Sequence, residues 1–220
     1  MTQRLPAIQK DPIGRHQATI LMLHGLGADG HDVEPIMDEL GLPETLGVRF
    51  ILPHAPRRPV TINSGSVMRA WYDISHNVLG RKADLSGIEE TLLAMDVLIN
   101  EELAQGILPR NLLIAGFSQG GVIALEAMSR FQEKLGGAIA LSAYLAREEG
   151  LPEADDPKPV FIAHGTEDPI VPFALGLQAK EDLVDKGYRV DWHHYSMPHS
   201  MCQKEIEDIR GWIVNQLQST

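Results

Sequence analysis

The stretch Asn111–Phe131, NLLIAGFSQGGVIALEAMSRF, decides how the rest of the chain is read. Asn111 to Ile114 open an apolar run of strand character, and Val122 to Phe131 carry apolar residues at helical spacing. Between them, AGFSQGGV sets one serine, Ser118, among glycines where a strand turns straight into a helix. The spacing Gly116-x-Ser118-x-Gly120 predicts a strained strand–turn–helix that lifts a hydroxyl clear of the backbone. Glycines are needed there because the turn brings neighbouring backbone closer than a Cβ tolerates. A turn that only happens to hold a serine is the plainer alternative, and the strand and helix on either side argue against it.

Outward from this turn, apolar runs and helical patterns alternate. ATILMLHG (18–25), VRFILP (48–53), GGAIALSAY (136–144), KPVFIAHG (158–165) and YRVDWHHY (188–195) read as strands. Residues 33–41, 85–106, 119–131, 173–186 and 200–217 read as helices. The segment 54–84 reads as irregular, and so long a connection inside a compact domain is usually functional. The alternation predicts an α/β fold: a mostly parallel central sheet flanked by helices. With 220 residues and no linker or repeat, a single domain over residues 1–220 is expected.

Composition narrows the function. A net charge of −11, from 30 acidic against 19 basic residues, argues against sequence-independent nucleic-acid binding. The single cysteine, Cys202, cannot form an internal disulfide and fits a reducing compartment. The first residues lack the apolar core of a secretory signal, and no apolar run approaches the roughly 18 residues of a membrane span. A cytoplasmic protein without integral membrane association is expected.

A serine hydroxyl is a weak nucleophile until a base takes its proton, so Ser118 demands a histidine and an acid downstream. His193 and His194 lie within a strand pattern, where packed or edge roles are expected. His199 follows Met197-Pro198 and precedes a helix, which puts it in a loop at the carboxyl edge of the sheet. Asp168, in HGTEDPIVP directly after a strand, is the expected acid; a turn-forming Asp before Pro169 is the rival reading. An oxyanion needs donors: the Gln119 amide at the start of the helix, and a second from the glycine-rich loop HGLGADG (24–30). H-E-x-x-H is absent and the His193-His194 spacing does not suit a helical zinc motif, so neither a metal nor an organic cofactor is expected.

With these motifs in order, HGLGADG, PHAPRRPVTINSG with WYDI, GFSQGG, HGTEDPIVP and PHSMCQKE, the chain resembles the carboxylesterases and acyl-protein thioesterases of the α/β-hydrolase fold. The resemblance runs over nearly the whole length. It implies a small fold without a large lid domain, a Ser118–Asp168–His199 triad, and an oxyanion hole of the Leu26 and Gln119 amides. It also implies cleavage of small-molecule or lipid esters, including lysophospholipids and acyl groups on protein cysteines, and a possible homodimer. Ile62, Met68 and Trp71, with the loop from Ile74 to Arg81, are then the expected walls of an acyl pocket. Cys202, close to His199, is expected to be a small buried residue rather than a nucleophile. The rival functions are an amidase or peptidase of the same fold and a silent protein that only holds an acyl ligand.

Overall fold

The computed structural model of the chain describes residues 4–77, 80–131, 133–147, 152–154 and 157–218. Its strands are β1 Ala7–Lys10, β2 Ala18–Leu23, β3 Val48–Pro53, β4 Arg57–Val60, β5 Ser66–Arg69, β6 Ile74–Asn77, β7 Gly80–Ala83, β8 Leu112–Phe117, β9 Gly137–Leu141, β10 Pro159–Gly165 and β11 Arg189–Tyr195. Its helices are α1 Gly30–Leu40, α2 Leu85–Ala104, α3 Gln119–Arg130, α4 Phe173–Asp185 and α5 Gln203–Gln218.

The seven-stranded sheet runs β1-β3-β2-β8-β9-β10-β11. Every neighbouring pair is parallel except β1 with β3. Strands covered on both faces read as continuous apolar runs, and β2 and β10 are buried at every position. One core cluster gathers Ile88, Leu92 and Met95 of α2, Val122 and Leu125 of α3, and Leu183 of α4 against one face. The other gathers Val33 and Met37 of α1 with Ile206, Ile209 and Trp212 of α5 against the opposite face. Three layers result, and the carboxyl ends of β2, β8, β9, β10 and β11 share one edge. Ligands bind at such an edge where the order of strand addition reverses, and β8 lies beside that reversal.

Local chemistry sets the element ends. Asp29 caps α1 through the His31 amide while Asp32 bonds back to the Asp29 amide, so the helix begins at Gly30, ahead of the first apolar position. Asp84 caps α2 by accepting from the Ser86 and Gly87 amides.

Two features differ from the sequence reading. The strand β1, antiparallel at the edge, was not expected from a segment rich in polar residues. The supposedly irregular segment 54–84 contains two small antiparallel ribbons, β4 with β5 and β6 with β7. Four-residue strands are too short for periodicity to register, and the turn of the first ribbon passes through Ser64 and Gly65 at φ values of 56° and 73°. Among the described residues no helix is long and apolar enough to cross a membrane.

Candidate active site

Ser118 closes β8 and precedes α3 at φ 55°, ψ −119°, a conformation that costs a non-glycine residue strain. The surroundings hold it there. The Ser118 amide donates to the Leu141 carbonyl at the end of β9 (2.8 Å), and the Ser118 carbonyl accepts from the Gly121 amide (2.9 Å). The flanking glycines are compulsory: a Cβ on Gly116 would lie 2.2 Å from the carbonyl carbon of Gly120, and one on Gly120 would lie 2.4 Å from the Leu23 carbonyl oxygen. The turn therefore presses β8, α3 and β2 together, and the serine side chain points out at the sheet edge.

His199 lies beyond β11, with Nε2 2.9 Å from Ser118 Oγ and Nδ1 2.6 Å from Asp168 Oδ2. A carboxylate only accepts hydrogen bonds, so Nδ1–H donates to Asp168 and the Nε2 lone pair faces the serine hydroxyl. The Phe117 ring packs against the imidazole at a centroid distance of 4.8 Å. Asp168 follows β10 and its other oxygen, Oδ1, accepts from the Ile170 and Val171 amides, both at 2.8 Å. Asp168 thus forms the turn with one oxygen and meets His199 with the other. Burial opposes its ionisation, but the bonds from His199, Val171 and Ile170 outweigh burial and hold its pKa below the ordinary carboxylate value. The loops bearing the acid and the base meet at Gly165, where a Cβ would lie 2.3 Å from the Met197 carbonyl oxygen.

The Leu26 amide is in the loop after β2. The next two amides there, of Gly27 and Ala28, are committed to the Arg69 and Gly25 carbonyls. His24 braces this loop: its Nε2 accepts from the Ala55 amide (3.1 Å), so Nδ1–H donates to the Gly25 carbonyl (2.7 Å). Burial lowers the His24 pKa, in keeping with a neutral ring in both bonds. Leu26, Ser118 and Gln119 all line one cavity of about 230 Å³, whose other walls include Ile62, Tyr72, Ile74, Tyr144 and Val171. A second hollow, of about 250 Å³ between α2 and α3, pairs no nucleophile with a base among the described residues. Its arginines, Arg130 and Arg147, pair with Glu89 and Glu126 of the same hollow.

Trp71, Met68 and Cys202 have the following surroundings. Trp71 is fully buried, with its indole N–H donating to the His24 carbonyl (2.8 Å), so it supports the loop after β2 from behind and is not among the residues that line the cavity. Met68 is not among the lining residues; its sulfur accepts from Asn63 Nδ2. Cys202 is partly exposed rather than buried. Ile62 and Ile74 do line the cavity, while the side chains of residues 76–81 lie outside the described residues. His193 stacks on Phe161 and His194 meets Phe173 edge-on, both away from Ser118. Sequence reasoning also missed the Gln119 side chain, whose Oε1 accepts from the Trp71 amide (2.8 Å) and whose Nε2 donates to the Tyr72 carbonyl (2.7 Å). It missed Tyr72 and Tyr144 as well, since both reach the site from segments distant in sequence.

The pattern that describes the phospholipase/carboxylesterase family matches residues 5–217. The chain belongs to this family. As a phospholipase/carboxylesterase family member it is an ester hydrolase with the α/β-hydrolase fold. It is 36% identical to acyl-protein thioesterase 1 of Cryptococcus neoformans var. neoformans, over 99% of this chain and 100% of the relative. It is 33% identical to carboxylesterase SOBER1 of Arabidopsis thaliana, over 91% of each. The crystal structure of SOBER1 superposes with a TM-score of 0.84, at 33% identity over 92% of this chain and 100% of that one. That of Zea mays acyl-protein thioesterase 2 gives 0.83, at 25% identity over 96% and 99%.

Proposed function

We propose that the protein is a cytoplasmic serine hydrolase that cleaves carboxylic esters and acyl thioesters, of small molecules or acylated proteins, through Ser118, His199 and Asp168. The observation that carries this reading is the unbroken chain of hydrogen bonds from Asp168 through His199 to Ser118, at 2.6 and 2.9 Å. Family membership and relatives named for thioesterase and carboxylesterase activity support it.

In the first half-reaction Ser118 Oγ attacks the substrate carbonyl carbon as His199 Nε2 takes the hydroxyl proton. Asp168 keeps the imidazole in the tautomer that can accept it and stabilises the imidazolium. The carbonyl oxygen becomes an oxyanion that accepts from the Leu26 and Gln119 amides. As the tetrahedral species collapses, His199 returns the proton to the departing alkoxide or thiolate, leaving an acyl-enzyme. Water then gives a proton to His199 and attacks the ester; the acid departs and Ser118 regains its proton.

The test is labelling with a fluorophosphonate. The wild type should label at Ser118 and Ser118→Ala should not, with ester turnover lost by several orders of magnitude. Labelling at another residue, or near-normal turnover by Ser118→Ala, would defeat the assignment.

A further inference from the structure

His164, next to last in β10, lies fully buried four residues ahead of Asp168. Its Nε2 is 2.9 Å from the Val171 carbonyl oxygen. A carbonyl only accepts, so the ring carries its proton on Nε2. The other nitrogen, Nδ1, is buried and has no hydrogen-bond partner among the described residues. It faces α4, where a Cβ on Gly176 would lie 2.2 Å from it, and the Phe173 ring meets the imidazole edge-on. Burial lowers the His164 pKa against the pull of the Val171 carbonyl and the Asp168 charge, in keeping with a neutral ring.

Packing alone does not call for a histidine in this slot. A leucine would fill it without stranding a buried nitrogen, and an unmet polar group is costly. What the imidazole adds is the Nε2–H, and that donor acts on the loop of the acid. The Val171 carbonyl accepts from His164, while the Val171 amide donates to Asp168 Oδ1 at 2.8 Å. Val171 is thus held at both of its polar groups, and with it the turn that aims the carboxylate. Asp168 Oδ2, which meets His199 Nδ1 at 2.6 Å, lies 3.6 Å from His164 Nε2. That is too long for a hydrogen bond but is a close contact, so the ring fills space into which the carboxylate would otherwise turn.

We infer that His164 is a positioning residue for the reaction: through Val171 it fixes the turn that holds Asp168 Oδ2 against His199. The inference rests on the reading of Ser118, His199 and Asp168 as the reacting groups, and it deepens that reading.

The experiment compares His164→Leu, His164→Asn and His164→Gln with the wild type in hydrolysis of a p-nitrophenyl ester, with urea unfolding of each as a check on the fold. A Gln amide nitrogen stands as far along the side chain as Nε2 and can still donate to the Val171 carbonyl, whereas an Asn amide reaches only the place of Nδ1. His164→Leu and His164→Asn should lower kcat by about tenfold to a hundredfold, the scale on which a small misplacement of reacting groups acts, with KM changed less than about threefold. His164→Gln should recover most of that loss. The far-downfield proton resonance of the short His199–Asp168 bond should shift or vanish in His164→Leu and persist in His164→Gln. Gly176→Ala drives a Cβ into the ring from α4 and should lower kcat at least about threefold without touching the loop of the acid. A folded His164→Leu with wild-type kcat and an unmoved resonance overturns the role of His164, as does a His164→Gln no better than His164→Leu. If the His164 variants do not fold, wild-type kcat in Gly176→Ala overturns it instead. A wild type that a fluorophosphonate does not label at Ser118 would sink the assignment of the reacting groups themselves, so the two failures are distinguishable.

Discussion

Glu205, in the first turn of α5, is fully buried and offers the sharpest quantitative test of the structure. Burial pushes its pKa from 4.5 up to about 8, only partly offset by the nearby Cys202 amide, and neither carboxylate oxygen holds a well-formed hydrogen bond. The folded protein therefore keeps a proton that the unfolded chain gives up. Below 4.5 both states are protonated and the group costs nothing. Between 4.5 and about 8 each pH unit costs the fold about 1.4 kcal/mol, and above about 8 the loss levels off near 5 kcal/mol. Glu205→Gln has the same shape and no titration, so it should gain on the wild type by about 3 kcal/mol between pH 6 and pH 9. Urea unfolding of both proteins at several pH values measures this difference, and the remaining titrating groups cancel between them. A stability difference that does not change with pH would show that Glu205 is hydrated or paired in the folded protein, and the argument from burial would fail.

Asp168→Asn should lower kcat by about 10⁴ with little change in KM on a p-nitrophenyl ester, because an amide no longer enforces the His199 tautomer; a loss below tenfold would remove Asp168 from the catalytic chain. The depressed Asp168 pKa makes its ionised form stabilising above the ordinary carboxylate range, a contribution lost as pH falls through the folded value. Asp168→Asn should accordingly flatten the acid limb of the stability curve, and an unaltered limb would contradict the three bonds drawn to this carboxylate. Gln119→Ala keeps the proposed oxyanion amide but strands the buried Trp71 amide and Tyr72 carbonyl, so urea unfolding should show a loss of about 2–6 kcal/mol; wild-type stability would refute the clamp.

Much of this molecule was readable before its coordinates. The strands covered on both faces declared themselves as apolar runs, because burial on two sides admits no alternation. The Gly116–Gly120 spacing announced a turn that only glycine permits, and Asp168 and His199 followed from the need to activate a hydroxyl at the carboxyl edge of a parallel sheet. These signals are local in the chain, or follow from chain order and chemistry together. The two ribbons within residues 54–84 were not legible, since strands of four residues leave too few positions to establish a period.

What only the tertiary structure decided is which side chains meet. Trp71 invited a role in the pocket by its size and its place in a long loop, yet packing turned it inward as a brace for the His24 carbonyl. Tyr72 and Tyr144 are 72 residues apart in the chain and came together because the segment after β5 folds over the edge where β9 ends. The sequence by itself determined the sheet, the strained turn and the candidate groups that meet beside it, because these depend on residue type and spacing. The size of the cavity at Ser118 and the groups that line it depend on long-range packing, and side chains distant in sequence share a wall only once the sheet has brought their loops to one edge.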